Sequence, residues 1–410
     1  MVNVVDVDSN HETREHELLL LDVLTVLSRI SVAFLLYLTS SYLPLFDASP
    51  RTLLPPSVTS SLLRWDTFHF TAIAKDGYSY EHHWAFFPGV PFLLRLATRL
   101  PELVANDTTS TLAWVAFFHA LIAIPTTRSI YRLTLTHFRS PSFALLTALL
   151  SLLPASPVTL YFASYAEPIF TLLSYKGMLA CASARYLRAS LYFTIAATFR
   201  SNGVLLALYV PWSLLIHPFI LSSTLPPLSV VIAGCFHALL PLLPSLLHQL
   251  YAYNTFCFTT IENDAGLPSW CNYLIPSIYT YVQRTYWHVE FLSYWTPAQL
   301  PNIVLALPLL IPLFFYSLSH VFLLILGKSG GLKPLTTTVH AIHATLLCVT
   351  LLTNAHTQIA LRLLPALPST YWAAAALLVE RPRWGRAYVV WAVLWGATSI
   401  VLWSAFLPPA

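Results

Sequence analysis

Charge is what this sequence has least of. Asp, Glu, Lys and Arg make up 9% of its 410 residues, against roughly 25% in soluble domains. A water-soluble surface cannot be built from so few charges, so the bilayer must be the main solvent. Disorder and secretion find no support in this composition. The net charge of +4 is spread over short loops, with no basic stripe to follow a phosphate backbone, which excludes a nucleic-acid partner. The five cysteines show no CxxC spacing, so they suggest neither a metal site nor a redox pair. There is no barrel-type strand alternation, no low-complexity tract and no internal repeat. The N-terminus does not read as a cleavable signal, and the apolar stretch 18–46 is expected to remain as the first membrane helix. Met1–Glu17 is acidic rather than basic, and the apolar stretch after it is too long for a signal core.

Hydrophobic length is present in abundance: 57% of the residues are apolar or aromatic. Stretches near the ~20 residues that span a bilayer lie at 18–46, 111–131, 142–161, 163–182, 226–250, 299–326, 336–353, 363–380 and 387–407. The stretch 189–218 is apolar but broken by Arg200-Ser201-Asn202-Gly203, and 85–100 is short and proline-punctuated. Thirty prolines are tolerable where neighbouring helices satisfy the backbone groups they free. The reading is one all-α polytopic membrane domain, residues 1–410, with about 9–11 hydrophobic segments. Two polar loops interrupt it, 47–110 and 254–297, both far longer than ordinary connections. Membrane segments fill 111–253 and 298–410. Cys257 and Cys271 share the second loop. They either pair in an oxidising lumen or act as small buried apolar groups.

The first loop holds Arg64-Trp65-Asp66-Thr67-Phe68-His69, then Gly77-Tyr78 and Glu81-His82-His83-Trp84-Ala85-Phe86-Phe87-Pro88-Gly89. Helical spacing of Trp65, Phe68, His69 and Ala72 predicts an interfacial helix over 66–74, with Asp66 as its N-cap. The alternative for Asp66 is a general base that takes a proton from an attacking hydroxyl. His82 and His83, adjacent and without an acidic residue at ligand spacing, read as interfacial or phosphate-contacting groups rather than metal ligands. Glu167 heads a membrane segment; it is either a helix-start carboxylate favoured by the dipole or a functional group at membrane depth. Non-helical backbone at depth survives only inside protein or beside a wet cavity, so Arg200 and Asn202 suit a phosphate, the planar guanidinium especially. Tyr286 and Trp287 in the second loop, then His356, Gln358 and Arg362, add polar groups that an aromatic girdle leaves unexplained.

These blocks resemble the GPI mannosyltransferase 2 family, the PIG-V type, in order from about residue 64 to 372. The run Trp65–Phe70, Gly77-Tyr78, Glu81-His82 and Ala85–Gly89 with Pro91 carries most of it. Arg200–Gly203, Tyr286-Trp287, Gln299–Asn302, His356-Thr357-Gln358 and Arg362 carry the rest. The resemblance implies a GT-C enzyme of the endoplasmic reticulum with dolichyl phosphate mannose as donor and a glycosylphosphatidylinositol precursor as acceptor. It implies an α-1,6 product and a small membrane partner subunit. Its essential loop carboxylate maps onto Asp66, and His69, Glu81, His82, Glu167, Arg200, Asn202, Tyr286, Trp287, His356, Gln358 and Arg362 are assigned to substrate and phosphate. No cofactor and no metal are assigned, because Asp66 stands without the DxD of the wider superfamily. A β-linked donor and an α-linked product require one inverting displacement.

Two readings compete. A transporter or lipid scramblase would show paired interruptions in both halves, and only the Arg200 interruption is present. A structural subunit does not explain polar residues spread over four segments. Lys and Arg accumulate in cytoplasmic loops; 128–139, 176–188, 327–335 and 381–386 are the basic ones, with Lys328 and Lys333 in the third. Both large loops and 354–362 then face the lumen, provided 189–218 forms a re-entrant hairpin at Arg200–Gly203. The sequon Asn106-Asp107-Thr108 would be luminal, too near the membrane for glycosylation.

Overall fold

The computed structural model describes residues 4–55, 57–99, 107–258, 267–327 and 332–408, with side chains from residue 14 onward. Asn106 of the sequon and Lys328 lie outside the described residues. The fold is helical throughout, and no strand occurs among the described residues. Among the described residues, seven helices are long and apolar enough to cross a membrane: Arg14–Tyr42, Thr108–Phe138, Ser201–Ser222, Leu228–Phe258, Pro297–Ile325, Leu335–Thr353 and Pro382–Ser404. An eighth candidate, Thr357–Ala366 with Pro368–Glu380, bends by 93° at its break. Pro125, Pro241, Pro244, Pro308 and Pro312 all sit inside long helices, as burial against neighbours permits.

Helix starts follow local chemistry. Asp107 accepts from the Ser110 amide and Ser140 from the Phe143 amide, each satisfying a donor that the first turn leaves free. The expected segment 142–161 departs from one continuous span. It folds as Pro141–Leu150 and Pro157–Tyr161, because Leu153-Pro154 and Ser156-Pro157 break the helix between them.

The interrupted stretch 189–218 reverses direction. The arms Tyr186–Ala197 and Ser201–Ser222 lie side by side, with Phe193 against Tyr209 at 5.5 Å. Ser213 returns to within 3.3 Å of the Cys181 sulfur, at the end from which the first arm started. Arg200 is extended at the apex. A Cβ on Gly203 would lie 2.6 Å from Ala197 Cα, so only glycine lets the arms meet this closely.

The two polar loops pack on each other at one end of the bundle. Trp84 of the first and Trp270, Ile278 and Val282 of the second share a small buried cluster with Ala252. Cys257 and Cys271 pair as a disulfide beside it. Arg128, Arg132, Lys176, Arg185 and Arg188, from two of the basic stretches, line one cleft.

Candidate active site

The first-loop helix runs Asp66–Asp76. Asp66 is therefore its first residue, not its N-cap, and no side chain caps this start. The cap position falls on Trp65, which adopts φ 37° and ψ −109°, a backbone region that bulky residues avoid. Packing holds it there: the Trp65 ring stacks on Phe406 and meets Trp403 edge-on, both at 5.0 Å. Sparse conformations of this kind persist where the surroundings over-determine them, and they cluster at active sites. Arg64, 2% exposed, gives its N–H groups to the carbonyls of Ser60, Leu63, Trp403 and Ser404. Tyr165 Oη accepts the Asp66 amide and donates to the Arg64 carbonyl, each at 3.2 Å.

Freed from capping, the Asp66 carboxylate accepts from Arg362 Nη2 at 2.7 Å through Oδ2. Arg362 Nε donates to Glu167 Oε1 at 2.8 Å, and Arg200 Nη1 reaches the same oxygen at 2.7 Å. The Arg362 guanidinium also lies 4.6 Å from the Tyr165 ring centroid. Four residues, each from a separate stretch of chain, thus form one network with two positive and two negative charges. Glu167 is 2% exposed whereas the Asp66 side chain is 29% exposed. Glu167 is the buried anchor of the two arginines, and Asp66 is the carboxylate that faces the open side. No described residue hydrogen-bonds Asp66 Oδ1.

The remaining candidates fall around this network. Glu81 accepts from Trp270 Nε1 and Tyr286 Oη, both at 3.3 Å, and so joins the two loops. Trp287 meets Phe86 edge-on at 5.8 Å. Its carbonyl hydrogen-bonds His356 Nε2 at 3.0 Å. His356 stacks on Tyr294. Asn202, beside Arg200, has a buried Oδ1 with no partner among the described residues. Gln358 is half-buried one turn before Arg362. His69 stacks on Phe86 at 4.6 Å, and His82 and His83 lie beside it at 5.4 and 6.0 Å. Burial disfavours the charged form of all three imidazoles, and His83 is pushed down to about 4.

Sequence reasoning left Tyr165 and Arg64 without a role. Each stands two positions before a candidate carboxylate, Arg64 before Asp66 and Tyr165 before Glu167. Their partners, the Asp66 amide and the carbonyls of Trp403 and Ser404, carry no sequence signal.

Fold and site together define a polytopic membrane protein with a carboxylate–guanidinium centre where two packed loops meet the helix bundle. Residues 18–410 match the family described as Mannosyltransferase (PIG-V). The chain belongs to that family and is a glycosyltransferase. It is 32% identical to GPI mannosyltransferase 2 of Cryptococcus neoformans, over 96% of this chain and 99% of that protein. The Yarrowia lipolytica protein of the same name is 32% identical over 94% of this chain and 99% of its own. GPI alpha-1,6-mannosyltransferase 2 of Rattus norvegicus is 30% identical, over 79% of this chain and 75% of the rat protein. Among solved structures, an oligosaccharyltransferase of Archaeoglobus fulgidus aligns with a TM-score of 0.44 and 13% identity, over 93% of this chain and 55% of that one.

Proposed function

We propose that this chain adds the second mannose to the glycosylphosphatidylinositol anchor precursor, taking it from dolichyl phosphate mannose and forming an α-1,6 bond by one inverting displacement. The observation that carries the reading is the Arg362 bridge between Asp66 and Glu167. It orients Asp66 through Oδ2 while leaving Oδ1 for the acceptor. The acceptor hydroxyl attacks the mannosyl anomeric carbon, and its proton passes to Asp66 Oδ1. The bond from that carbon to phosphate oxygen breaks, and its electron pair leaves on dolichyl phosphate. Arg200 supplies N–H groups to the departing phosphate, where developing charge is best stabilised by fixed donors. Asn202, Gln358, His356 and Tyr286 complete the substrate lining, and Glu167 holds both arginines.

The site is read as luminal in the endoplasmic reticulum within a GT-C architecture. Support comes from the Cys257–Cys271 disulfide on the loop side, since disulfides persist in oxidising compartments. The basic cleft of Arg128, Arg132, Lys176, Arg185 and Arg188 is the cytoplasmic end by the positive-inside rule. A small membrane subunit is the partner this reading carries.

Membranes holding the chain, given radiolabelled dolichyl phosphate mannose, should label the inositol phospholipid acceptor. Asp66→Asn should lower that labelling by about 10²–10⁴-fold, the usual share of a general base, at unchanged protein level. Label in a different lipid-linked acceptor would move the assignment to another dolichol-dependent transferase. Near-normal turnover of Asp66→Asn would remove Asp66 from the chemistry.

A further inference from the structure

We propose that His69, His82 and His83 form a transition-metal site, suited first to Zn2+, that ties the first-loop helix to the following loop. The three residues come from two separate elements. His69 lies on the Asp66–Asp76 helix, whereas His82 and His83 lie on the short turn Glu81–Ala85. One nitrogen from each ring falls within 4.8 Å of the other two. Zinc binds imidazole nitrogen at about 2.0–2.1 Å, which sets tetrahedral nitrogens roughly 3.3 Å apart. Closing the triangle therefore asks the nitrogens to approach one another by up to about 1.5 Å.

The donor chemistry selects the metal. Imidazole nitrogen suits Zn, Cu, Fe and Ni, while Ca2+ and Mg2+ require oxygen ligands. Three histidines also leave one coordination position open, as in catalytic zinc sites. The alternative is an aromatic cluster, because His82 stacks on Tyr80 and His69 on Phe86. His83 also meets Tyr80 and His82 edge-on, but ring contacts do not satisfy its polar atoms. That residue is 4% exposed, and its Nδ1 is buried with no hydrogen-bond partner among the described residues. An orphaned buried nitrogen costs about 1–3 kcal/mol, and a metal bond removes the cost. Packing of the ring on its neighbours does not.

Position gives the ion a use. His69 follows Asp66 by three residues on one helix, so the two side chains share a face. Glu81, next to His82, is hydrogen-bonded to Trp270 and Tyr286. An ion here holds the turn that carries Glu81 and the second loop against the helix that carries Asp66.

The test uses the full-length chain in detergent or nanodiscs, stripped with chelator and reloaded with Zn2+ or Co2+. One equivalent of zinc per chain by elemental analysis is expected. Cobalt should give ligand-field absorption of a low-symmetry nitrogen site. His69→Gln, His82→Gln and His83→Gln should each lose most of the bound metal, and His288→Asn on the exposed second loop should keep it. Zinc should raise the melting temperature of the unaltered chain and leave the three variants unmoved. Equal metal-free melting temperatures would show that these variants fold. Substoichiometric metal in the unaltered chain, or undiminished binding in the three variants, overturns the site. Metal content is read without turnover, so failure here leaves the transferase reading standing.

Discussion

Arg362 holds two carboxylates at once, and the asymmetry between them decides what each one does. Glu167 is enclosed and receives both arginines, while Asp66 keeps an oxygen free on the open side. Removing one partner of a buried ion pair costs about 3–5 kcal/mol, because the remaining charges stay buried and unpaired. Glu167→Gln leaves Arg200 without its carboxylate and Arg362 with Asp66 alone, so a thermal melt should show a loss of that order. Its mannosyl transfer should fall through misplacement of both guanidiniums. A melt within about 1 kcal/mol of the unaltered chain would mean the arginines find other partners. His356 provides a pH dependence. Its pKa lies below the ordinary 6.5, chiefly because burial disfavours the charged ring, with the Trp287 hydrogen bond pulling the other way. The unfolded chain takes up this proton first as pH falls, so the stability His356 contributes is full above pH 6.5 and declines below it. Melting temperature followed from neutral pH downward should therefore drop less steeply in His356→Gln than in the unaltered chain.

At the scale of elements, the hairpin of Tyr186–Ala197 and Ser201–Ser222 is what brings Arg200 to Glu167. Its apex depends on glycine. Gly203→Ala places a methyl against the Ala197 backbone, and backbone cannot yield as a side-chain tip does. The arms must separate, carrying Arg200 off the Glu167 carboxylate. We expect destabilisation of about 1–3 kcal/mol, the usual cost of overpacking, with a weakened apparent affinity for dolichyl phosphate mannose measured in membranes. An unchanged donor affinity would show that Arg200 does not contact the donor. Gly89, at the end of the first-loop block, lies against a side chain instead, the Phe199 ring. Its amide donates to the Thr198 carbonyl at 2.8 Å. The first loop is therefore docked on the chain just before Arg200. The disulfide is the second device at this scale. It closes a loop of sequence separation 14, for which the chain-entropy model assigns about 3 kcal/mol. Reduction, or a Cys257→Ser/Cys271→Ser double change, should lower the melting temperature and increase proteolytic nicking of the second loop.

For the whole molecule, a shared site requires both polar loops on one face and the basic cleft on the other. Thr67 is fully buried and makes a poor reporter, whereas Lys75, Thr285 and Arg188 are exposed. In a background with Cys235 replaced, Lys75→Cys and Thr285→Cys should react with an impermeant reagent from the luminal side of sealed vesicles. Arg188→Cys should react from the cytoplasmic side. Reaction of the two loop positions from opposite faces would contradict the packing of Trp84 against Trp270.

The membrane class, the location of the polar loops, the break at Arg200–Gly203 and the family blocks were all legible in residue order. Each depends on hydrophobic length, local backbone preference or a contiguous motif. Asp66, Glu167, Arg200 and Arg362 were each visible as unusual polar residues. Their connection was not, because Asp66 and Arg362 stand 296 positions apart, and pairing over that distance is set by how the helices pack. The same holds for His69 with His82 and His83, and for Arg64 with the carbonyls of Trp403 and Ser404. Local sequence placed Asp66 at a helix end. Tertiary structure moved it one position inward and turned its carboxylate from the helix's own amides to Arg362, because the pairing of distant segments is set by helix packing and not by local sequence.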